Sequence, residues 1–357
     1  MKLNQNVALH KPVSHGGPYS IKKPPLDLID FSSNINPLGA SPMVRRYLHK
    51  KLDTISQYPD TDSVNLRKGL QWYCKIPFDQ IVIGNGATEI IYNFCQAFLN
   101  KKTLVLIPIP TFGEYEAAAK LSGCKILFFK TMNLEANLND FIKKIPKNGC
   151  VFVCNPNNPT GTILSKTKLQ KIIQSAKKKS ALIFVDESFI ELVPDSNESM
   201  IKFVKKYRNL FILRSMTKSF GLAGIRVGYG IGNKQIISIL NKLKIPWNVS
   251  GLAHHAAGAA LCSVFYLEKA KKLIKKESKY LRNSIAKIDG FECHDTSTNF
   301  ILIKTKQKSK TLQKKLLKKK ILIRDCSTFR GLNNNYVRIA VKTRKENLKL
   351  VKALETI

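Results

Sequence analysis

The sequence has no run of about 18 apolar residues, the shortest that crosses a bilayer as a helix, so no membrane span is expected. The stretch Met1-Lys2-Leu3-Asn4-Gln5-Asn6 has no apolar core of the kind a signal peptide carries. Cysteine is sparse and scattered: eight residues, none in a CxxC pair, with Cys150 and Cys154 inside one strand-like run. That pattern argues against a metal site or a disulfide framework and for reduced thiols in a cytoplasmic protein. Carboxylates are also scarce, 24 against 60 lysines and arginines, which leaves a formal charge of +36. Such a charge is compatible with nucleic-acid binding. However, lysine supplies most of it, spread along expected helix faces, and no aromatic-and-basic motif or helix-turn-helix signature accompanies it. No nucleic-acid partner is expected; the surface instead favours small anionic substrates by steering them.

What is present is apolar bulk and one long motif. At 357 residues and 44% hydrophobic, the chain is large enough for two domains. The apolar run Leu210-Phe211-Ile212-Leu213 reads as a buried strand and is followed by Ser215-Met216-Thr217-Lys218-Ser219-Phe220-Gly221-Leu222-Ala223-Gly224-Ile225-Arg226-Val227-Gly228. A lysine just past a strand end, among small residues, suits a Schiff-base lysine, which needs a close, partly dry pocket for its amine to meet a carbonyl. Ser215 and Arg226 offer a hydroxyl and a guanidinium for one phosphate.

Residues 1–45 are punctuated by glycine and proline and read as an irregular arm, with His15-Gly16-Gly17-Pro18 and Asp30-Phe31-Ser32-Ser33-Asn34-Ile35-Asn36-Pro37-Leu38-Gly39 as its landmarks. His15 beside two glycines is either an anion contact or a plain loop histidine. Helices are expected over Met43–Leu52 and Val64–Tyr73, then a strand over Gln80–Ile83. Gly84-Asn85-Gly86-Ala87-Thr88-Glu89 opens a helix to about Leu99, and this strand, glycine turn and helix start form a phosphate cradle. Strands follow at Leu104–Ile107, Lys125–Phe129, Val151–Cys154, Leu182–Val185, Leu210–Leu213 and Val227–Ile231, mostly separated by helical stretches. That alternation predicts a mostly parallel α/β sheet covered on both faces. Thr88, Phe112, Asn158, Asp186, Ser215 and Lys218 each follow a strand, where such sheets bind ligands. Beyond Trp247 the spacing predicts one long helical region over 251–288, strands at 299–303, 321–326 and 336–341, and a lysine-rich helix over Ser309–Lys320. We expect an arm (1–45) packed on a small C-terminal α+β domain (249–357), and a large cofactor-binding domain (46–248).

The lysine motif, the Asn155-Pro156-Asn157-Asn158-Pro159-Thr160-Gly161 turn, and Asp186 some thirty residues before Lys218 resemble the fold-type I pyridoxal-phosphate enzymes of the aspartate aminotransferase superfamily. This resemblance implies a seven-stranded, mostly parallel sheet and pyridoxal 5'-phosphate bound through Lys218. Gly86, Ala87, Thr88, Ser215 and Arg226 would hold its phosphate, Phe112 would stack on its ring, and Asn158 would meet its phenolic oxygen. Asp186 would keep the ring nitrogen protonated, which strengthens the electron sink; Glu187 is its rival, although strand alternation points it elsewhere. Tyr58 would reach the cofactor phosphate of a second subunit, making a homodimer. Arg338 would grip a substrate carboxylate.

Within the superfamily, the His15-Gly16-Gly17 opening, Asp30-to-Gly39, Tyr58-Pro59-Asp60, Asp186-Glu187-Ser188-Phe189, Pro246-Trp247-Asn248-Val249 and Ile321-to-Cys326 resemble the threonine-phosphate decarboxylases of cobalamin biosynthesis, over essentially the whole chain. By that resemblance His15, Gly16, Asn34, Asn158, Arg324 and Arg338 line the site of a small phosphorylated amino acid. Histidinol-phosphate aminotransferases share most of these motifs. They usually carry a tyrosine where this chain has Phe189, whereas Pro18 and Ser188 stand where the decarboxylases commonly have Asn and Ala.

Overall fold

The computed structural model describes residues 5–195 and 197–357. Met1–Asn4, including most of the opening read for a signal peptide, lie outside the described residues. Seven strands form one sheet in the spatial order Ile81–Gly84, Gly228–Ile231, Leu210–Ser215, Leu182–Asp186, Cys150–Cys154, Leu104–Ile109 and Lys125–Lys130. Only Gly228–Ile231 runs antiparallel to its neighbours; the remaining pairs are parallel. The central strands are continuous apolar runs because helices cover both faces. Successive residues alternate between those faces. Phe152, Phe184 and Phe211 pack with Phe94 and Tyr115 on one side, while Val151, Ile183 and Ile212 face Leu169, Ile172 and Ile173 on the other. This is the α/β fold of the fold-type I enzymes.

The helix Gly86–Phe98 starts at the end of the first strand of this sheet. Glu89 in its first turn accepts the Asn85 N–H at 2.6 Å and the Asn248 side-chain amide at 2.7 Å. A carboxylate there complements the helix dipole and ties the cradle to the turn after Trp247.

A second, antiparallel sheet is ordered Arg324–Asp325, Tyr336–Ala340, Phe300–Thr305 and Phe291–Cys293. It has its own core, which includes Leu281, Ile301, Ile339 and, from the arm, Phe31. Two expectations need correction here. The single strand over 321–326 is two: Ile321–Leu322 pairs in parallel with Ile29–Asp30 of the arm, and Arg324–Asp325 joins the antiparallel sheet. The chain changes partners at Ile323 because the arm offers a ladder on one side only. The helical region over 251–288 is likewise two helices, Gly251–Leu261 and Phe265–Ile285. Between them, Ser263 Oγ bonds back to the carbonyls of Ala259 and Ala260 at 3.2 and 3.1 Å, satisfying groups that a continuing helix would have used. The expected Met43–Leu52 helix is Pro42–His49, capped by Ser41, and then tightens into a 3-10 turn at Leu52–Ser56. No helix among the described residues is long and apolar enough to cross a membrane.

Candidate active site

The carboxyl ends of the central strands open into a cavity of about 300 Å³, closed on its far side by the arm and the antiparallel sheet. Its floor is the turn that follows Leu210–Ser215. There a four-residue helical turn, Met216–Ser219, presents Lys218 to the cavity. The arm fixes this turn from above: the Asn36 backbone N–H donates to the Lys218 carbonyl at 3.0 Å, and the Asn36 side chain to the Ser219 carbonyl at 2.9 Å. Gly221 lies against the Gly39 backbone with φ +70°, so no side chain fits there. Burial, with Arg338 and Arg226 nearby, pushes the Lys218 amine down to about 8; Asp186 opposes this only in part. A buried amine held near neutral pH is a nucleophile in waiting.

One end of the cavity is built for a phosphate. Ala87 and Thr88, from the first turn of Gly86–Phe98, converge there with Ser215, Thr217 and Arg226. Gly86 has φ +76°, and a Cβ on it would run into the Arg226 guanidinium, whose Cζ would lie 3.1 Å away. Among the described residues Arg226 has no carboxylate at ion-pair distance; it donates to the Ala223 carbonyl at 3.0 Å. Helix amides, hydroxyls and an unpaired guanidinium form the donor set a phosphate ester requires.

At mid-cavity Asp186 ends the strand Leu182–Asp186, accepting Tyr115 Oη at 2.7 Å on Oδ2 and the Ser188 N–H at 2.8 Å on Oδ1. Burial pushes its carboxyl up, and these two donors recover only part of that shift. A buried carboxylate with hydrogen bonds and no cation at ion-pair distance among the described residues matches a protonated ring nitrogen arriving with a ligand. Glu187, the rival, points to the other face, where its Oε2 accepts Arg214 Nε at 2.9 Å and Met200 N–H bonds its Oε1 at 2.6 Å. Phe112 and Asn158 flank Asp186 along the cavity wall. Its neighbour Asn157 is turned away, onto Thr111, Thr160 and the Pro110 carbonyl.

The far end is cationic. Arg338 is buried beneath Phe300 and Phe329, bonded to Asn158 Oδ1 and, at 2.9 Å, to the Ser32 carbonyl, with its Nε unpartnered. Arg324 donates to Ser14 O and, at 2.9 Å, to Thr328 Oγ1. Neither makes an ion pair among the described residues. His15, Gly16 and Asn34 complete this end, and the buried Asn34 Oδ1 has no partner. Gly16 packs so closely on Ser32 that a Cβ would come within 2.8 Å of its carbonyl oxygen.

The structure therefore gathers the expected residues into one cavity, with Gly86 just behind its wall under Arg226. Tyr58 is apart: 82% exposed, it stacks on Trp247 at 4.6 Å, outside the cavity. Sequence reasoning missed Tyr115, Thr217 and Phe329. Tyr115 lies in the first turn of the helix Glu114–Leu121, and Phe112 precedes that helix, so no helical period ties the two; Phe329 lies in a loop without periodicity. A phosphate cradle, a reactive lysine, a buried aspartate and Phe112 on the wall together fit pyridoxal phosphate.

The comparisons agree with this geometry. The pattern of the family Aminotransferase class I and II matches residues 27–354. The chain is 38% identical to a protein of Caldanaerobacter subterraneus subsp. tengcongensis, provisionally assigned as a threonine-phosphate decarboxylase, over 96% of this chain and 94% of that one. It is similar to the crystal structure of the histidinol-phosphate aminotransferase from Clostridium acetobutylicum, with TM-score 0.85 and 36% identity over 92% of this chain and 98% of that one. The L-threonine-O-3-phosphate decarboxylase structure from Porphyromonas gingivalis gives TM-score 0.84 and 29% identity over 92% and 99%. With its lysine, aspartate and phosphate cradle in one cavity, the chain belongs to the class I and II aminotransferase family, and its cofactor is pyridoxal phosphate.

Proposed function

We propose that this enzyme decarboxylates L-threonine O-3-phosphate to (R)-1-aminopropan-2-yl phosphate for cobalamin biosynthesis. The observation that carries the reading is the pair of buried, unpaired guanidiniums at one end of the cavity. Arg324 and Arg338 face each other across adjacent strands, and burial, aided by this neighbour, pushes Arg338 down to about 10. Two cations side by side call for a ligand with two anionic groups a few bonds apart. Threonine phosphate has them, a carboxylate for Arg338 and a phosphate for Arg324. The cavity, about 300 Å³ for cofactor and substrate together, suits a short skeleton.

Bound pyridoxal phosphate supplies an electron sink for the bond broken at the substrate Cα. Arg338 and Asn158 hold the carboxylate in one plane, and Arg324 with the arm holds the phosphate. The two anchors would fix the rotation about Cα and so select the carboxylate bond as the one that breaks. The Asp186 carboxylate, held by Tyr115 and Ser188, keeps a proton on the ring nitrogen. Phe112, Phe329 and the arm restrict water. As carbon dioxide leaves, Lys218 in its ammonium form would deliver a proton to Cα and return to the free amine.

The residue set also supports transamination, in which Lys218 moves a proton from Cα instead. The 36% identity to a histidinol-phosphate aminotransferase of known structure favours that second reading. Phe189 favours the first: buried against Phe300 at 5.0 Å, it has no hydroxyl to offer where that group, by the resemblance above, carries tyrosine. In this reading Tyr58 reaches the site of a second copy in a cytoplasmic homodimer, and residues 1–45, 46–248 and 249–357 are arm, large domain and small domain. The decisive experiment supplies L-threonine O-3-phosphate without a 2-oxo acid and measures carbon dioxide. Release is expected; glutamate formed from histidinol phosphate and 2-oxoglutarate, with no carbon dioxide from threonine phosphate, makes the aminotransferase correct.

A further inference from the structure

Glu114 is a buried carboxylate behind the cationic end of the cavity, where an anionic ligand is expected. It opens the helix Glu114–Leu121 and is 5% exposed. Its Oε1 meets His15 Nε2 at 2.6 Å, and its Oε2 accepts Tyr92 Oη at 2.6 Å. Glu116, one turn-edge further on, is engaged elsewhere by Arg330 and Lys120, so neither of those cations serves Glu114. Burial pushes the Glu114 carboxyl up, but donation from His15 and Tyr92, with His10 behind, outweighs it and leaves the group below its ordinary range. Burial, with Glu114 beside it, pushes the Tyr92 phenol up, so it keeps its proton and donates it to the carboxylate. Three elements thus meet on one carboxylate: the arm through His15, the cradle helix Gly86–Phe98 through Tyr92, and the helix next to Phe112.

A carboxylate this close to a substrate phosphate would repel it unless a proton-bearing group stood between them. His15 stands there. Its ring lines the cavity 5.9 Å from Phe112, and among the described residues its Nδ1 makes no hydrogen bond. With Nε2–H given to the Glu114 carboxylate, Nδ1 is the ring nitrogen left free of it. We propose that Glu114 is a positioning residue whose charge-assisted hydrogen bond to Nε2 holds the His15 ring with its other nitrogen turned to the substrate phosphate. Arg324 bonds the carbonyl of Ser14, and Gly17 N–H bonds Ser32 Oγ at 2.7 Å, so the arm presents His15 in a fixed place. This assignment rests on the phosphorylated-substrate reading above.

The test is binding to the holoenzyme, read as the shift of the cofactor's visible band, of 1-aminopropan-2-yl phosphate and of its unphosphorylated parent, 1-aminopropan-2-ol. Glu114→Gln keeps an acceptor for Nε2–H and removes the charge. It should weaken the phosphorylated amine roughly tenfold or more, the size of one charge-assisted hydrogen bond, and leave the unphosphorylated amine unchanged. His15→Asn should do the same, and the double variant should be no worse than either single, since the two residues act as one unit. Should Glu114→Gln fail to fold, Glu114→Asp, one methylene short of His15, carries the same expectation. A wild type with no preference for the phosphorylated amine removes the substrate reading itself. A wild type that has the preference, with Glu114 variants that keep it or with losses that simply add, removes only the role given to Glu114.

Discussion

Arg324 and Arg338 are directly opposed in the register of two antiparallel strands, both buried and both without a carboxylate partner at ion-pair distance among the described residues. Like charges directly opposite one another on paired strands are destabilising by themselves.

Arg324→Met should therefore separate stability from function. Replacing a buried charge by an apolar side chain of similar length is often neutral, so unfolding free energy without ligand should change by less than about 1 kcal/mol. Affinity for the phosphorylated substrate should fall by about 1.5–3 kcal/mol, the worth of a charged hydrogen bond. Denaturant unfolding and kcat/KM, measured together, decide it. Loss of several kcal/mol in stability with substrate affinity intact would assign Arg324 to the fold.

Asp186 is the second such group. Its carboxyl is raised in the folded chain by burial, against the hydrogen bonds of Ser188 and Tyr115. A raised value means that its stabilising contribution is present below the ordinary aspartate value of 3.8 and is lost as pH rises through the folded value. At neutral pH the ionised group thus costs stability in the cofactor-free protein. Asp186→Asn should leave the cofactor-free Tm at pH 7 equal to or above that of the wild type, while the Tm gain on adding pyridoxal phosphate shrinks. A cofactor-free variant much less stable at pH 7 than the wild type would contradict this.

Cofactor capture should follow the Lys218 amine. With the amine lowered from 10.5 to about 8 by burial first and by Arg338 and Arg226 next, its reactive neutral form grows tenfold per pH unit below about 8 and then levels off. The capture rate of pyridoxal phosphate should trace that curve. Borohydride should abolish the visible band and leave a mass adduct on Lys218. A midpoint near 10, or an adduct on a different lysine, would show that Lys218 is not the reacting amine. Stability from the same group should rise between pH 8 and 10.5, where the unfolded chain binds the extra proton.

Gly86→Ala tests the cradle. The position has φ +76°, which disfavours any side chain, and a Cβ would displace the Arg226 guanidinium. Cofactor affinity should drop at least tenfold with the fold retained, measured by titration of the cofactor-free protein. Unchanged affinity would place the phosphate elsewhere.

The sequence by itself determined the sheet, the lysine turn and most of the chemistry-bearing positions. The apolar runs that end at Cys154, Asp186 and Leu213 can only be strands covered on both faces, and the loops after such strands share one edge of the sheet. It did not determine which surfaces of the distant segments meet. The split at Ile323, the opposition of Arg324 and Arg338, and the contact of His15 with Glu114 join residues 14, 99 or more positions apart along the chain. No local period encodes those separations. They follow from the arm adding a ladder beside Ile321–Leu322 while its glycines let the backbone run close over the cavity. Only that packing turned a loop histidine, a helix-start glutamate and two arginines into one end of a site.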